Sequence, residues 1–159
     1  MDAGGSFCMK IRIIGPVGSG KTLLASQLSL KYHIPVISLD DLNWSRSSHG
    51  DIHRTPEERT ALLNQVLNRK DWIIEGVQYR YGRESFADAD VIYFKDVSHF
   101  RNMYYLLKRY FKNQFVKGPS QYNHLKIFLK WEQSFRNKER AEIVVLLKPY
   151  IDKVVVLKK

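Results

Sequence analysis

Short apolar runs alternate with longer helix-like stretches along most of this chain. Lys10-Ile11-Arg12-Ile13-Ile14 reads as a first strand, followed by a helix from Lys21 to about Tyr32. Pro35-Val36-Ile37-Ser38-Leu39 reads as a second strand, and the polar segment Asp40 to Arg54 shows no periodicity and reads as a loop. Thr55-Pro56-Glu57-Glu58 has the makings of a helix start, with a capping hydroxyl, proline in the first turn and acids against the dipole. That helix is expected to run to about Lys70 with Leu62, Leu63, Val66 and Leu67 on one face. Trp72-Ile73-Ile74-Glu75, Val91-Ile92-Tyr93-Phe94 and Val154-Val155-Val156-Leu157 read as three further strands. None of these strands alternates polar with apolar residues, so they are expected to be buried on both faces, as in a parallel sheet covered by helices. Five such strands joined by helical crossovers make a three-layer α/β domain.

Between Val97 and Tyr150 the pattern is nearly all helical. Val97, Phe100, Tyr104, Leu107 and Phe111 fall at helical spacing and are expected to face the core, with Arg101, Lys108 and Lys112 on another face. Val116-Lys117-Gly118-Pro119-Ser120 should break the helix. Two more helical stretches follow, Tyr122 to about Trp131 and about Arg136 to Leu147.

With 159 residues the chain is expected to be one domain, residues 9–159, preceded by a flexible lead-in over residues 1–8. No apolar run approaches the roughly 20 residues needed to span a bilayer, so no membrane partner is expected. Asp2 in place of a basic residue argues against a secretory signal. A single cysteine, Cys8, excludes an intrachain disulfide and points to the cytoplasm. The net charge of +10 changes the picture more, because residues 1–90 hold 11 basic and 11 acidic residues while residues 91–159 hold 15 and 5. The second half therefore offers either a basic surface for phosphates or nucleic acid, or solvated helix faces.

The chemistry enters between the first strand and the first helix. Gly15-Pro16-Val17-Gly18-Ser19-Gly20-Lys21-Thr22 fits G-x-x-x-x-G-K-[ST], the phosphate-binding loop, in its required strand–loop–helix setting. Glycines let the backbone wrap phosphate, and the helix N-terminus adds partial positive charge. Lys21 can reach the terminal phosphates of ATP, and the Thr22 hydroxyl can hold Mg²⁺. No N-K-x-D guanine reader is present, since Asn137-Lys138 is followed by Glu139-Arg140. The length excludes a large motor ATPase, which leaves a compact phosphotransferase.

Ligands of parallel α/β sheets sit at the carboxyl ends of strands. Asp40, beside Asp41, closes the second strand and Glu75 closes the third. With strand order 2-3-1 these acids and the loop share one crevice. Glu75 can then hold Mg²⁺ through water, and Asp40 can accept a proton from an acceptor hydroxyl. Either acid can equally end its strand and cap a turn. Small kinases clamp the moving phosphate with arginine from a mobile lid. Here the lid is expected over residues 98–121, with Arg101 and Arg109 as its clamps, while Arg80 and Arg83 can hold an acceptor phosphate. A surface ion pair is the competing role for each of these arginines.

Taken together, Ile13-Ile14-Gly15 through Thr22, Ile34 through Trp44, Asp71-Trp72-Ile73-Ile74-Glu75-Gly76, Ala89-Asp90-Val91-Ile92-Tyr93-Phe94 and Lys153-Val154-Val155-Val156-Leu157 resemble the small adenylate-kinase-like P-loop proteins labelled DNA topology modulation (FlaR-related) proteins. The resemblance implies a nucleoside/nucleotide-kinase-like fold with sheet order 2-3-1-4-5 and ATP at the loop. The chain departs from that pattern in having Glu75 where the family has aspartate, and Gly118-Pro119-Ser120-Gln121 and several lysines where the family's lid is arginine-dense. Glu75-Gly76-Val77-Gln78-Tyr79 also lacks the D-G-F-P-R segment of true adenylate kinases, so AMP is not the expected acceptor.

The resulting expectation is a phosphotransferase that moves the γ-phosphate of Mg-ATP to a nucleotide, nucleoside or hydroxylated metabolite. The alternative is a nucleotide-gated nucleic-acid-binding or DNA-topology-related protein with little kinase activity, favoured by the basic second half.

Overall fold

A computed structural model describes residues 8–47, 50–114 and 125–158. The main sheet has five parallel strands: β1 (Lys10–Ile14), β2 (Val36–Ser38), β5 (Trp72–Glu75), β6 (Val91–Lys95) and β7 (Val154–Leu157). They lie in the order β2-β5-β1-β6-β7, which is 2-3-1-4-5 once the main-sheet strands are counted alone. The central strands are the apolar ones because both of their faces are covered. Ile11 and Ile13 pack with Ala25 of α1 (Lys21–Tyr32), Ile34 and Ile73 on one face. Ile14, Trp72, Ile74, Ile92 and Phe94 pack on the other with Leu63 and Val66 of α3 (Pro56–Leu67), Phe86 of α4 (Glu84–Asp88), and Phe135, Ile143 and Leu147. Edge strands are wetter than the pattern suggested, since Val155 and Val156 of β7 are exposed.

The α3 start follows its sequence signature. Thr55 Oγ1 accepts from the Glu58 amide at 3.2 Å while the Thr55 amide donates to Glu58 Oε2 at 2.9 Å, a reciprocal capping box. The helix ends at Leu67, slightly short of Lys70.

Two expectations are corrected. The Asp40–Arg54 segment is not a plain loop. It forms a short helix, α2 (Leu39–Asn43), then an antiparallel hairpin of β3 (Trp44–Ser47) and β4 (Gly50–His53). Asp40 therefore sits in the first turn of α2 rather than at the end of β2. The hairpin carries no apolar periodicity because it covers no core: Ile52 and Trp44 are exposed. It is closed instead by Arg54, which donates to the carbonyls of Asp41 (2.7 Å), Leu42 (3.2 Å) and Trp44 (2.6 Å).

The second correction concerns α5 (His99–Gln114). Phe100 and Tyr104 do not face the core, being 86% and 58% exposed, whereas Asn102 and Leu106 are buried. Contact with the phosphate loop, made through Asn102 and Leu106, sets its inner face to one side of the aromatic stripe. The Phe111 side chain lies outside the described residues, as does the expected break at 116–120. α6 (Leu125–Ser134) runs through a π-helical turn (Phe135–Glu139) directly into α7 (Arg140–Leu147), and a 3-10 turn (Lys148–Lys153) leads to β7. Among the described residues no helix is long and apolar enough to cross a membrane.

Candidate active site

Strand register places the candidate chemistry along one edge of the sheet. Glu75 is level with Ile13 of β1 and with Ser38 of β2, and Phe94 of β6 is level with Ile14. The carboxyl ends of β2, β5, β1 and β6 thus meet where the Gly15–Thr22 loop leaves β1.

The loop needs its glycines. Gly18 and Gly20 have φ of 79° and 80°, a left-handed conformation that costs any L side chain. At Gly18 a side-chain carbon would also lie 2.6 Å from Leu106 Cδ2. α5 is seated directly on the loop, and Asn102 Nδ2 adds a hydrogen bond to the Val17 carbonyl at 3.0 Å. Ser19 Oγ is buried and has no hydrogen-bond partner within the structure, so the loop retains an unsatisfied polar group of the kind a phosphate oxygen satisfies.

Lys21, the first residue of α1, is buried and donates to the Pro16 carbonyl at 2.7 Å. Burial pulls its pKa down to about 8; Glu75 and Asp40 oppose that shift, while Arg12 and Lys95 reinforce it. The two acids expected from the sequence thus both act on the loop lysine. Glu75 is buried, 6% exposed. Asp40 is exposed, its Oδ1 accepting from Gln78 Nε2 at 2.5 Å. Thr22, in the first turn of α1, is exposed.

Several site residues were not singled out in the sequence. Arg12 lies fully buried in β1, stacked 4.8 Å from the Phe86 ring centroid. Its guanidinium donates to the carbonyls of Ile13 (2.5 Å), Ile74 (3.3 Å) and Gln78 (2.6 Å). Burial lowers its pKa to about 9, against the opposing charge of Glu75. The only trace of Arg12 in the sequence is a charge inside an apolar run. Lys95, ending β6, faces the loop. Glu132 of α6 is fully buried and binds Asn102 Nδ2 (2.5 Å), Arg136 Nε (2.8 Å) and His99 Nδ1 (3.2 Å), so it fixes the residue that holds Val17. Helix periodicity carries no signal for such a group.

The candidate arginines separate. Arg101 is exposed on α5, its Nε donating to Tyr105 Oη at 3.4 Å, and its charge is felt by Lys95. Arg109 falls within α5, but its side chain lies outside the described residues. Arg80 forms a 2.9 Å ion pair with Glu142, which also accepts from Tyr79 Oη. Arg83 is exposed just before α4. Val77 to Tyr81 and Ser134, Lys138 and Glu139 line a cleft of about 460 Å³. Gln78 belongs to this cleft and also to the acid cluster. Among the described residues no group of three or more His, Cys, Asp or Glu side chains is placed to hold a metal ion, so a cation here would need phosphate or water oxygens as well.

No family model matches the chain, and no curated protein matches it. Among solved structures, it is similar to a gluconokinase from Sinorhizobium meliloti 1021, with a TM-score of 0.52 and 17% identity over 96% of this chain and 83% of the other. It is similar also to an uncharacterized protein from Eubacterium ventriosum ATCC 27560, with a TM-score of 0.54 and 17% identity over 95% of this chain and 89% of the other. These likenesses, together with the strand order and the loop, show a three-layer α/β fold of the P-loop NTPase type.

Proposed function

We propose that the protein is an ATP- and Mg²⁺-dependent kinase that transfers the terminal phosphate of ATP to a small acceptor: a nucleotide, a nucleoside or a hydroxylated metabolite. The observation that carries this reading is the convergence of Glu75 and Asp40 on Lys21 inside a glycine loop with an unsatisfied buried hydroxyl. The name of the S. meliloti neighbour, a gluconokinase, supports the same reaction class and an acceptor among small hydroxylated metabolites.

The roles proposed for the individual residues are these. Lys21 and the loop amides bind the phosphates of ATP and stabilise charge as it develops. Thr22 and Glu75 are the residues that would hold Mg²⁺, which supplies neutralisation of phosphate charge when bound. Asp40, exposed and held by Gln78, takes the acceptor hydroxyl proton as that oxygen bonds to phosphorus and ADP departs with the bridging oxygen. Arg101 and Arg109, both on α5, neutralise the moving phosphate. Arg80, at the 77–81 cleft, and Arg83, just before α4, hold an anionic group of the acceptor. The test is ADP release from Mg-ATP with nucleosides, nucleoside monophosphates and small hydroxylated metabolites, using Lys21→Ala as the blank. Acceptor-dependent release that the variant loses supports the proposal; release identical in the variant sinks it.

A second reading has one specific observation behind it. Arg101, Tyr104, Tyr105 and Lys108 interleave on an exposed part of α5, with cations 6.0 and 5.9 Å from ring centroids. Such a stripe suits nucleic-acid phosphates and bases, and fits the resemblance to DNA topology modulation proteins. DNA retention measured against salt tests it, and no binding at about 50 mM, where electrostatics is strongest, rejects it.

A further inference from the structure

We propose that Lys95 is a second phosphate-binding cation of the loop, set beside Lys21 to take the terminal phosphates of a nucleoside triphosphate. The inference rests on the nucleotide reading of the Gly15–Thr22 loop and adds a residue that lies outside that motif and ahead of the expected lid.

Register puts it there. β6 runs parallel to β1 with Phe94 level with Ile14, so Lys95 comes level with the start of the loop. Its backbone packs against Gly15 so closely that a side-chain carbon on Gly15 would lie 2.6 Å from the Lys95 carbonyl oxygen and 2.9 Å from its Cβ. Its ammonium lies 3.7 Å from where a side-chain carbon on Gly20 would stand. The Lys95 side chain therefore spans the loop from its first glycine to its last. Gly15 is needed to admit the lysine's backbone, and Gly20 leaves its Nζ open space above the residue that precedes Lys21.

The surroundings favour an anion. Among the described residues no carboxylate forms an ion pair with Lys95, although the side chain is partly buried. Burial and the Arg101 charge both disfavour its protonated form, while Tyr105 favours it. Lys95 in turn disfavours the protonated form of Lys21. Two cations that repel each other across a loop are relieved by an anion placed between them. The buried Ser19 hydroxyl, unpartnered and 3.2 Å from the same point at Gly15, supplies a neutral donor beside them. The arrangement also suits a chain whose expected lid carries lysines where arginines are usual, because one phosphate cation is delivered from the rigid sheet instead.

The test is calorimetric binding of Mg-ATP, inorganic tripolyphosphate and adenosine to the full chain, comparing wild type with Lys95→Met, Lys95→Gln, Lys95→Arg and Lys21→Met. Both neutral Lys95 variants are expected to weaken ATP and tripolyphosphate about tenfold, the scale of one charge-assisted hydrogen bond, and Lys95→Arg to recover most of the loss. Unchanged ATP affinity in Lys95→Met and Lys95→Gln, with Lys21→Met impaired, overturns the role of Lys95 and leaves the loop reading standing. A loss that adenosine shares equally also overturns it, because the side chain would then be supporting structure rather than phosphate. Equal ATP affinity in wild type and Lys21→Met removes the loop reading itself.

Discussion

Gly18 and Gly20 form a built-in control for whether α5 is seated on the phosphate loop. Both have the same left-handed backbone, φ 79° and 80°. Alanine at either position is strained by about 1–2 kcal/mol on that account. Only Gly18 is crowded: its added carbon meets Leu106 Cδ2 at 2.6 Å, while at Gly20 the nearest atom is the mobile end of Lys95 at 3.7 Å. Gly18→Ala therefore carries an overpacking cost of about 1–3 kcal/mol beyond the strain. For a chain of 159 residues each kcal/mol lowers Tm by about 2–4 °C. Gly20→Ala is expected to melt about 2–8 °C below wild type, and Gly18→Ala at least about 2 °C lower again. Melts followed by circular dichroism without nucleotide read this directly. Leu106→Ala sharpens the comparison, since shortening the partner should make the two changes less than additive. Equal melting of Gly18→Ala and Gly20→Ala, or strict additivity with Leu106→Ala, would show that α5 does not rest on the loop.

Four further outcomes are expected. Lys21, held near 8 by burial against an ordinary 10.5, binds fewer protons folded than unfolded between those values, so its contribution to stability rises with pH across that window. An anion that restores its charge must take up a proton, so ATP binding near pH 8.5 should show uptake, by calorimetry in buffers of different ionisation enthalpy, that is reduced in Lys21→Met; undiminished uptake in the variant contradicts the assignment. Asp40→Asn should lower kcat about 10²–10⁴-fold with little change in ATP affinity, and a variant with intact turnover removes Asp40 as the base. Thr55→Ala breaks the capping box and should cost about 1 kcal/mol in urea unfolding, with Thr55→Ser recovering it; equal stability of all three would discount the cap. Arg12→Met strips three carbonyls and Glu75 of their buried cation and is expected to cost about 3–5 kcal/mol by the same measurement, whereas a neutral effect would mean that the cation adds nothing over an apolar side chain.

The sheet was legible because its central strands are apolar runs bounded by turn signals. Trp72–Glu75 matches its expected bounds, and the order 2-3-1-4-5 is the one implied by family resemblance. The hairpin after α2 was not legible, since it buries no face and is held by ladder bonds and Arg54. The inner face of α5 was misread because Phe100 and Tyr104 have the right spacing, while the surface selecting the face is two backbone positions, Val17 and Gly18, more than eighty residues earlier. Glu75 stood out as an acid at a strand end, and so did Asp40, although it lies in the first turn of α2 instead. Lys95 did not, because a lysine at a strand end reads as solvated until the register of β6 against β1 is known.

The two acids differ in how firmly they are held, and that difference divides the site. Glu75 is buried in a central strand, and Arg12 clamps the carbonyls of Ile13, Ile74 and Gln78 around it. Arg12 and Lys21, both pulled down by burial, are each supported by the charge of Glu75. Removing any one of the three leaves a buried charge short of its balance. The loop side of the site is therefore interdependent. Asp40 is exposed on a helix of five residues, and its link to this frame is a single side-chain bond from Gln78, whose backbone Arg12 holds. In the proposed reaction, an acceptor entering the cleft beside Gln78 would compete for that bond and release Asp40 toward its own hydroxyl. On the proposed kinase reading, phosphate held by the loop on one side and an adjustable base on the other would keep water from replacing the acceptor: without an acceptor, Asp40 stays bonded to Gln78 and would have one lone pair fewer for activating solvent.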